Sequence, residues 1–216
     1  MKNIILLSIA IIFTLTTCNQ NKNVHGEIEI EWTDKLSADF SFTEKWSYPE
    51  GIYENEFGQL ICDGFCPPEV AGMYDDIGRI KEDSLNRYYR LVDTTHQHHT
   101  IESDAWTYEW AGTDFITANR VDHDTVVCFT HNNAATHSSL NLKIIGDKCI
   151  PTIELNSTTL NQGAKIYTCK SGQIQIDSDL WNKGFMKAEF NFIFDNTENP
   201  EQAMYWKGKI YTKINK

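Results

Sequence analysis

Phe185-Met-Lys-Ala-Glu-Phe-Asn-Phe-Ile-Phe194 sets Met186, Ala188, Phe190, Phe192 and Phe194 at every second position, with Lys187, Glu189 and Asn191 between them. Successive side chains of a β-strand point to opposite faces, so a period of two sorts the apolar set onto one face and the polar set onto the other. A helix would scatter the same residues around its axis. The segment therefore reads as one strand of a β core, buried on one side.

The same period recurs on either side of it. Glu27-Ile-Glu-Ile-Glu-Trp32 puts Ile28, Ile30 and Trp32 on one face and three glutamates on the other, and Ala38-Asp-Phe-Ser-Phe42 begins a second such pattern. Residues 51–62 hold a third, with Gly58 as a turn or bulge inside it. Further candidate strands cover 100–110, 115–121, 125–130, 139–145, 150–155, 165–169, 173–176 and 205–214. Asp122-His-Asp124 joins two of them as a hairpin turn. Helical spacing is clear once: Val70, Met73, Tyr74, Ile77 and Ile80 follow Pro67-Pro68 at intervals of three and four, predicting one short helix near residues 68–80. Residues 88–92 after it alternate again as a strand. Ten or more short strands with little helix predict an all-β fold, an antiparallel β-sandwich or a barrel-like sandwich.

The N-terminus reads as an address. Lys2, the apolar run Ile4 to Phe13, Leu15-Thr-Thr-Cys18 and the polar Asn19-Gln-Asn-Lys-Asn23 form a basic start, a short apolar stretch and a cleavage-site cysteine. The apolar stretch falls short of the ~20 residues a spanning helix needs. This resembles the bacterial lipoprotein signal, although Thr17 stands where Gly, Ala or Ser is usual. The resemblance implies that residues 1–17 are a cleaved signal peptide and that Cys18 carries the lipid (palmitate among its acyl chains). Residues 18–25 then form a lipidated cysteine and flexible tether, and 26–216 a single β-rich domain. It also implies a cell-envelope protein of the outer membrane. Asn19-Gln20-Asn21 lacks the acidic run associated with surface display in some lipoproteins, which points to the periplasmic face. Ser139-Leu-Asn-Leu-Lys-Ile-Ile, Gly172-Gln-Ile-Gln-Ile-Asp, Lys187-Ala-Glu-Phe-Asn-Phe and Trp206-Lys-Gly-Lys-Ile-Tyr resemble a recurring pattern in small β-rich lipoproteins of Gram-negative bacteria. That likeness covers roughly the last 80 residues. It implies a fold and no catalytic residue.

The whole chain has 19 basic and 30 acidic side chains, a formal charge of −11. Such a surface gains nothing from nucleic acid or an anionic bilayer, so the expected membrane attachment is through the lipid anchor. Six tryptophans, nine tyrosines and eleven phenylalanines suffice for one substantial core or two small ones, and one domain with a short tether is the simpler reading. Beyond Cys18 five cysteines remain, an odd number, and Cys62 and Cys66 are spaced for a small disulfide loop.

Two constellations carry candidate chemistry. His96 and His98 would share one face of a strand, and His131 on a neighbouring strand would complete a zinc-binding set. The plainer reading is a solvated turn. Trp106, Tyr108 and Trp110 stand among Glu102, Asp104, Glu109 and Asp114, an arrangement suited to stacking on sugar rings, with the acids as candidates for glycoside hydrolysis. Their spacing by two equally describes an inward strand face. No nucleophile elbow, phosphate loop or dinucleotide fingerprint is present, so no catalytic residue is assigned. The leading expectation is a non-catalytic, lipid-anchored binding module for a glycan or an envelope protein. The alternatives are an immunity protein that captures a basic toxin through charge complementarity, and a metal-dependent or carboxylate-based hydrolase.

Overall fold

A computed structural model describes residues 26–64, 66–133, 135–157 and 163–216. Cys18 and the signal and tether expectations lie outside the described residues. In chain order the strands begin with β1 (Ile28–Thr33), β2 (Trp46–Ser47), β3 (Ile52–Glu54) and β4 (Leu60–Cys62). The helix α1 (Leu85–Leu91), β5 (Gln97–His98) and β6 (Ile101–Trp106) follow. Next come β7 (Phe115–Arg120), β8 (Thr125–His131), β9 (Ser138–Ile145), β10 (Lys148–Leu155) and β11 (Lys165–Asp177). The short α2 (Ser178–Asn182), β12 (Phe185–Phe194) and β13 (Met204–Asn215) complete the chain.

Strands β7 to β13 form an antiparallel meander in which each pairs with the next. Two parallel residue pairs, Ile214 with Ala118 and Asn215 with Asn119, bring β13 back to β7 and close the sheet. β1 inserts between β10 and β11 at one end, antiparallel to the first and parallel to the second, so the closed mixed barrel has eight strands. β6 lies outside that count, paired with the first half of β13. Of the two architectures the alternation allowed, the closed barrel is the one formed. Closure pairs the barrel strands on both sides and leaves β6 as the edge strand.

The alternation of β12 is realised residue by residue: Met186, Ala188, Phe190, Phe192 and Phe194 are buried, and Phe190 and Phe192 stack at 5.1 Å. They meet Trp206, Ile210 and Ile214 of β13 and the inward residues of the other strands in one continuous core. The Trp206 indole N–H donates to Ser103 Oγ at 2.9 Å, satisfying its polar atom inside that core. Cys128, Cys149 and Cys169 are buried free thiols; burial pushes Cys128 up to about 12 and Cys169 up to about 11, so all three behave as small apolar groups. The segments 165–169 and 173–176 join into one thirteen-residue strand, with a register shift between Cys169 and Ser171.

Residues between β2 and β5 build a second, smaller core of Ile61, Val70, Met73, Ile80, Tyr88 and Val92. A Cys62–Cys66 disulfide clips it, as small cores require. The short helix expected near 68–80 is a 3-10 helix, Pro68–Met73. It ends there because the Asp75 carboxylate accepts from the Ile77 and Arg79 amides and turns the chain. The strand expected over 88–92 is instead the end of α1, which stops at Leu91 with Val92 extended after it. Leu85, Tyr88 and Val92 also fit helical spacing, and burial of Tyr88, whose hydroxyl accepts from the Cys62 amide at 2.8 Å, selects the helix.

Close approach governs β13 at Gly208, where a Cβ would sit 2.3 Å from the Glu102 carbonyl oxygen and 2.7 Å from Ser103 Cα. Gly208→Ala must push β6 away from β13, and overpacking of this kind costs about 1–3 kcal/mol. Urea denaturation is expected to show that loss of stability with an unchanged m-value.

Candidate functional site

The end of the barrel marked by Trp106, the β12–β13 turn and the start of β9 is crossed by residues 107–114, which link β6 to β7. Backbone bonds fasten this strap: the His137 and Ser138 amides donate to the Trp110 carbonyl at 3.0 and 2.8 Å, and the Gly112 amide donates to the Ser138 carbonyl at 2.9 Å. Asn132, just beyond β8, holds the other side. Its Oδ1 accepts from the Thr113 and Asp114 amides at 2.7 and 3.2 Å, and its Nδ2 donates to the Ala111 carbonyl at 2.9 Å. Gly112 is required by contact, since a Cβ there would lie 2.6 Å from His131 Cα. At the opposite rim the Tyr108 hydroxyl donates to Asn196 Oδ1 at 2.8 Å, and Asn196 is itself buried in the β12–β13 turn.

This fastening distributes the three candidate aromatics differently from the single strand face that their spacing allowed. Trp106 ends β6 and packs half-buried against the barrel core. Tyr108 is 40% exposed, and Trp110, at 72%, is the most exposed large apolar side chain among the described residues. β6 stops at Trp106, so Tyr108 and Trp110 belong to the strap.

Tyr108, Glu109, Trp110 and His137 line a cavity of about 300 Å³. Glu109 Oε2 lies 2.8 Å from His137 Nδ1 with both side chains largely covered. That nitrogen makes no directed hydrogen bond among the described residues, so the contact is close without hydrogen-bond geometry. The Trp110 ring meets the His137 ring edge-on at 5.9 Å. Beneath Tyr108, at 6.4 Å between centroids, the Tyr167 ring is buried, and its hydroxyl lacks a hydrogen-bond partner among the described residues. Burial holds that phenol above its ordinary pKa.

Three of the four candidate acids stand beside basic side chains, and Asp114 lines a concavity together with Glu102 and Lys45. Glu102 contacts Lys45 at 2.7 Å and Lys209 at 3.3 Å, and the Lys45 hydrogen bond holds its carboxyl below the usual range. Asp104 contacts Lys207 at 3.1 Å. Glu109 faces His137 rather than a second carboxylate. The histidines of the expected zinc set fall at two places. His96 and His98 are neighbours at 5.7 Å, packed around Trp46, whereas His131 stacks on Phe115 at 5.5 Å. Among the described residues no three His, Cys, Asp or Glu side chains converge on a metal position. Cys62 and Cys66, by contrast, are brought together and bonded.

Sequence reasoning missed His137 as a partner of Glu109 and Asn132 as the anchor of the strap. Both act across gaps of about twenty to thirty residues, and no local pattern encodes such pairings. It also missed the Ser47 Oγ to His99 Nε2 contact at 2.7 Å, which pins the β2–β5 ribbon. No helix among the described residues is long and apolar enough to cross a membrane. Comparison with protein-family models, curated proteins and solved structures returns no match.

Asn132→Ala leaves three backbone groups of the strap without their side-chain partner, a loss of about 1–3 kcal/mol for groups that are half-buried. Amide hydrogen exchange at Thr113 and Asp114 is expected to accelerate markedly, while exchange in β12 stays slow.

Proposed function

We propose that this chain is a lipid-anchored envelope protein whose barrel mouth holds a glycan without catalysing a reaction on it. The observation that carries the reading is the exposure of Trp110 on a strap fixed at both ends. An indole left in water gains by being covered, and one held on a fastened backbone binds at little ordering cost. A flat aromatic face suits the C–H face of a pyranose ring. Glu109 and His137 beside it, with the Tyr108 hydroxyl at the edge, supply acceptors and donors for ring hydroxyls. A mostly preformed concavity with a few placed polar groups is the usual form of a small-ligand site. Glu102, Asp104 and Glu109 each stand beside a lysine or histidine, which supports binding over hydrolysis. The lipid anchor at Cys18 would place this mouth at the outer membrane, where envelope and dietary glycans are met.

Two experiments test the reading. Titration with a panel of envelope and dietary oligosaccharides is expected to change tryptophan fluorescence saturably for at least one of them. Trp110→Ala, at a position too exposed to matter for folding, is expected to weaken that binding at least tenfold, a loss of about 1.4 kcal/mol or more. Unaltered affinity in the variant would refute the site. For the anchor, Cys18→Ala is expected to abolish palmitate incorporation and move the protein from the membrane to the soluble fraction of its host.

A further inference from the structure

A second concavity, of about 430 Å³, lies on the outer face of the barrel, away from the mouth, over β11, β12 and β13. Its walls are built. The segment after β1 is drawn over the sheet by two lysines: Lys187 Nζ donates to the Leu36 carbonyl at 3.1 Å and stands 4.5 Å from the Phe40 ring centroid, and Lys209 Nζ donates to the Asp39 carbonyl at 2.6 Å. Ala38 between these anchors forms one side. The floor is a cross-strand quilt in which Gln173 stands opposite Asn191 and Asn191 opposite Lys207, with Gln175, Glu189 and Lys209 in the next outward row.

The charges of this quilt are not equally free. Lys207 is taken by Asp104 at 3.1 Å, and Lys209 by Glu102 at 3.3 Å and the Asp39 carbonyl. The Gln175 amide donates to Glu31 at 2.8 Å. The side chains of Gln173, Asn191 and Glu189 have no direct hydrogen-bond or ion-pair partner among the described residues, so two amides and one carboxylate without a contacting cation face the groove side by side. Each amide offers both a donor and an acceptor, the complement of adjacent hydroxyls, and a lone carboxylate favours a cationic group and repels an anionic one.

We propose that this groove is a second ligand site, selective for a polyhydroxylated ligand bearing a free amine, an amino sugar, with Gln173 and Asn191 bonding hydroxyls and Glu189 the ammonium. The site is independent of Trp110, so it stands or falls separately from the reading of the mouth.

The test uses the intact protein and D-glucosamine, D-glucose and D-glucuronate as probes, read by NMR chemical-shift titration of backbone amides in β11 to β13. A single sugar ring on an exposed face is expected to bind in roughly the millimolar range. Glucosamine should shift the amides around residues 173–175 and 189–191 saturably and more tightly than glucose, with glucuronate showing no saturation. Glu189→Gln should weaken glucosamine about fivefold and remove its advantage over glucose. Asn191→Ala should weaken both. These exposed substitutions leave the core intact, which the unperturbed spectrum of the inward residues verifies. No saturable shift with glucosamine, equal binding of glucuronate, or glucosamine affinity unchanged in Glu189→Gln would each overturn the proposal.

Discussion

The double pairing of β13 is the constraint from which the rest of the molecule follows. Its first half lies against β6 and its last residues lie against β7, and only two parallel residue pairs complete the barrel. Because β6 runs to the rim and β7 starts further down the barrel wall, the chain between them must return across the open end. That return is the strap. The exposed aromatics are thus placed by barrel closure, and the bonds from Ser138 and Asn132 convert a connection into a platform.

Energetics divide accordingly. The barrel is held by burial of long apolar side chains facing one another across its interior, a non-directional force that tolerates variation at the rim. The rim is held by directed hydrogen bonds from Asn132, Asn196 and Ser138, each satisfying backbone or side-chain groups that would otherwise be left unpaired. The smaller core between β2 and β5 buries too few residues to rely on packing alone and is clipped by its disulfide. This division leaves the exposed side chains Trp110 and Glu189 outside both cores, so their loss does not threaten the fold.

Legibility in the sequence followed the range of the forces. Period-two alternation marked β12 with its observed bounds and most of the meander, because each strand is buried on one face and registers that fact locally. The hairpin at Asp122 was equally local, its carboxylate capping the Asp124 and Thr125 amides. Alternation could not say whether the sheet closes, since Ile214 with Ala118 is a pairing across nearly a hundred residues. Tyr88 went the wrong way for the same reason: its neighbours fit either period, and the choice was made by the pocket beneath the disulfide. At the candidate site, Trp106, Tyr108 and Trp110 were visible as an aromatic group. Their separation into one core residue and two rim residues depended on where β6 ends.

The central claim is that the barrel mouth presents Trp110 to a glycan. Its most direct test follows the indole N–H resonances of the six tryptophans while a panel of envelope oligosaccharides is titrated into the isotopically labelled protein. The account predicts a saturable shift of the Trp110 resonance with at least one glycan, accompanied by His137 and Tyr108, while the buried Trp206 stays in place. Silence at Trp110 across the panel, or saturable shifts confined to tryptophans away from the mouth, would contradict it.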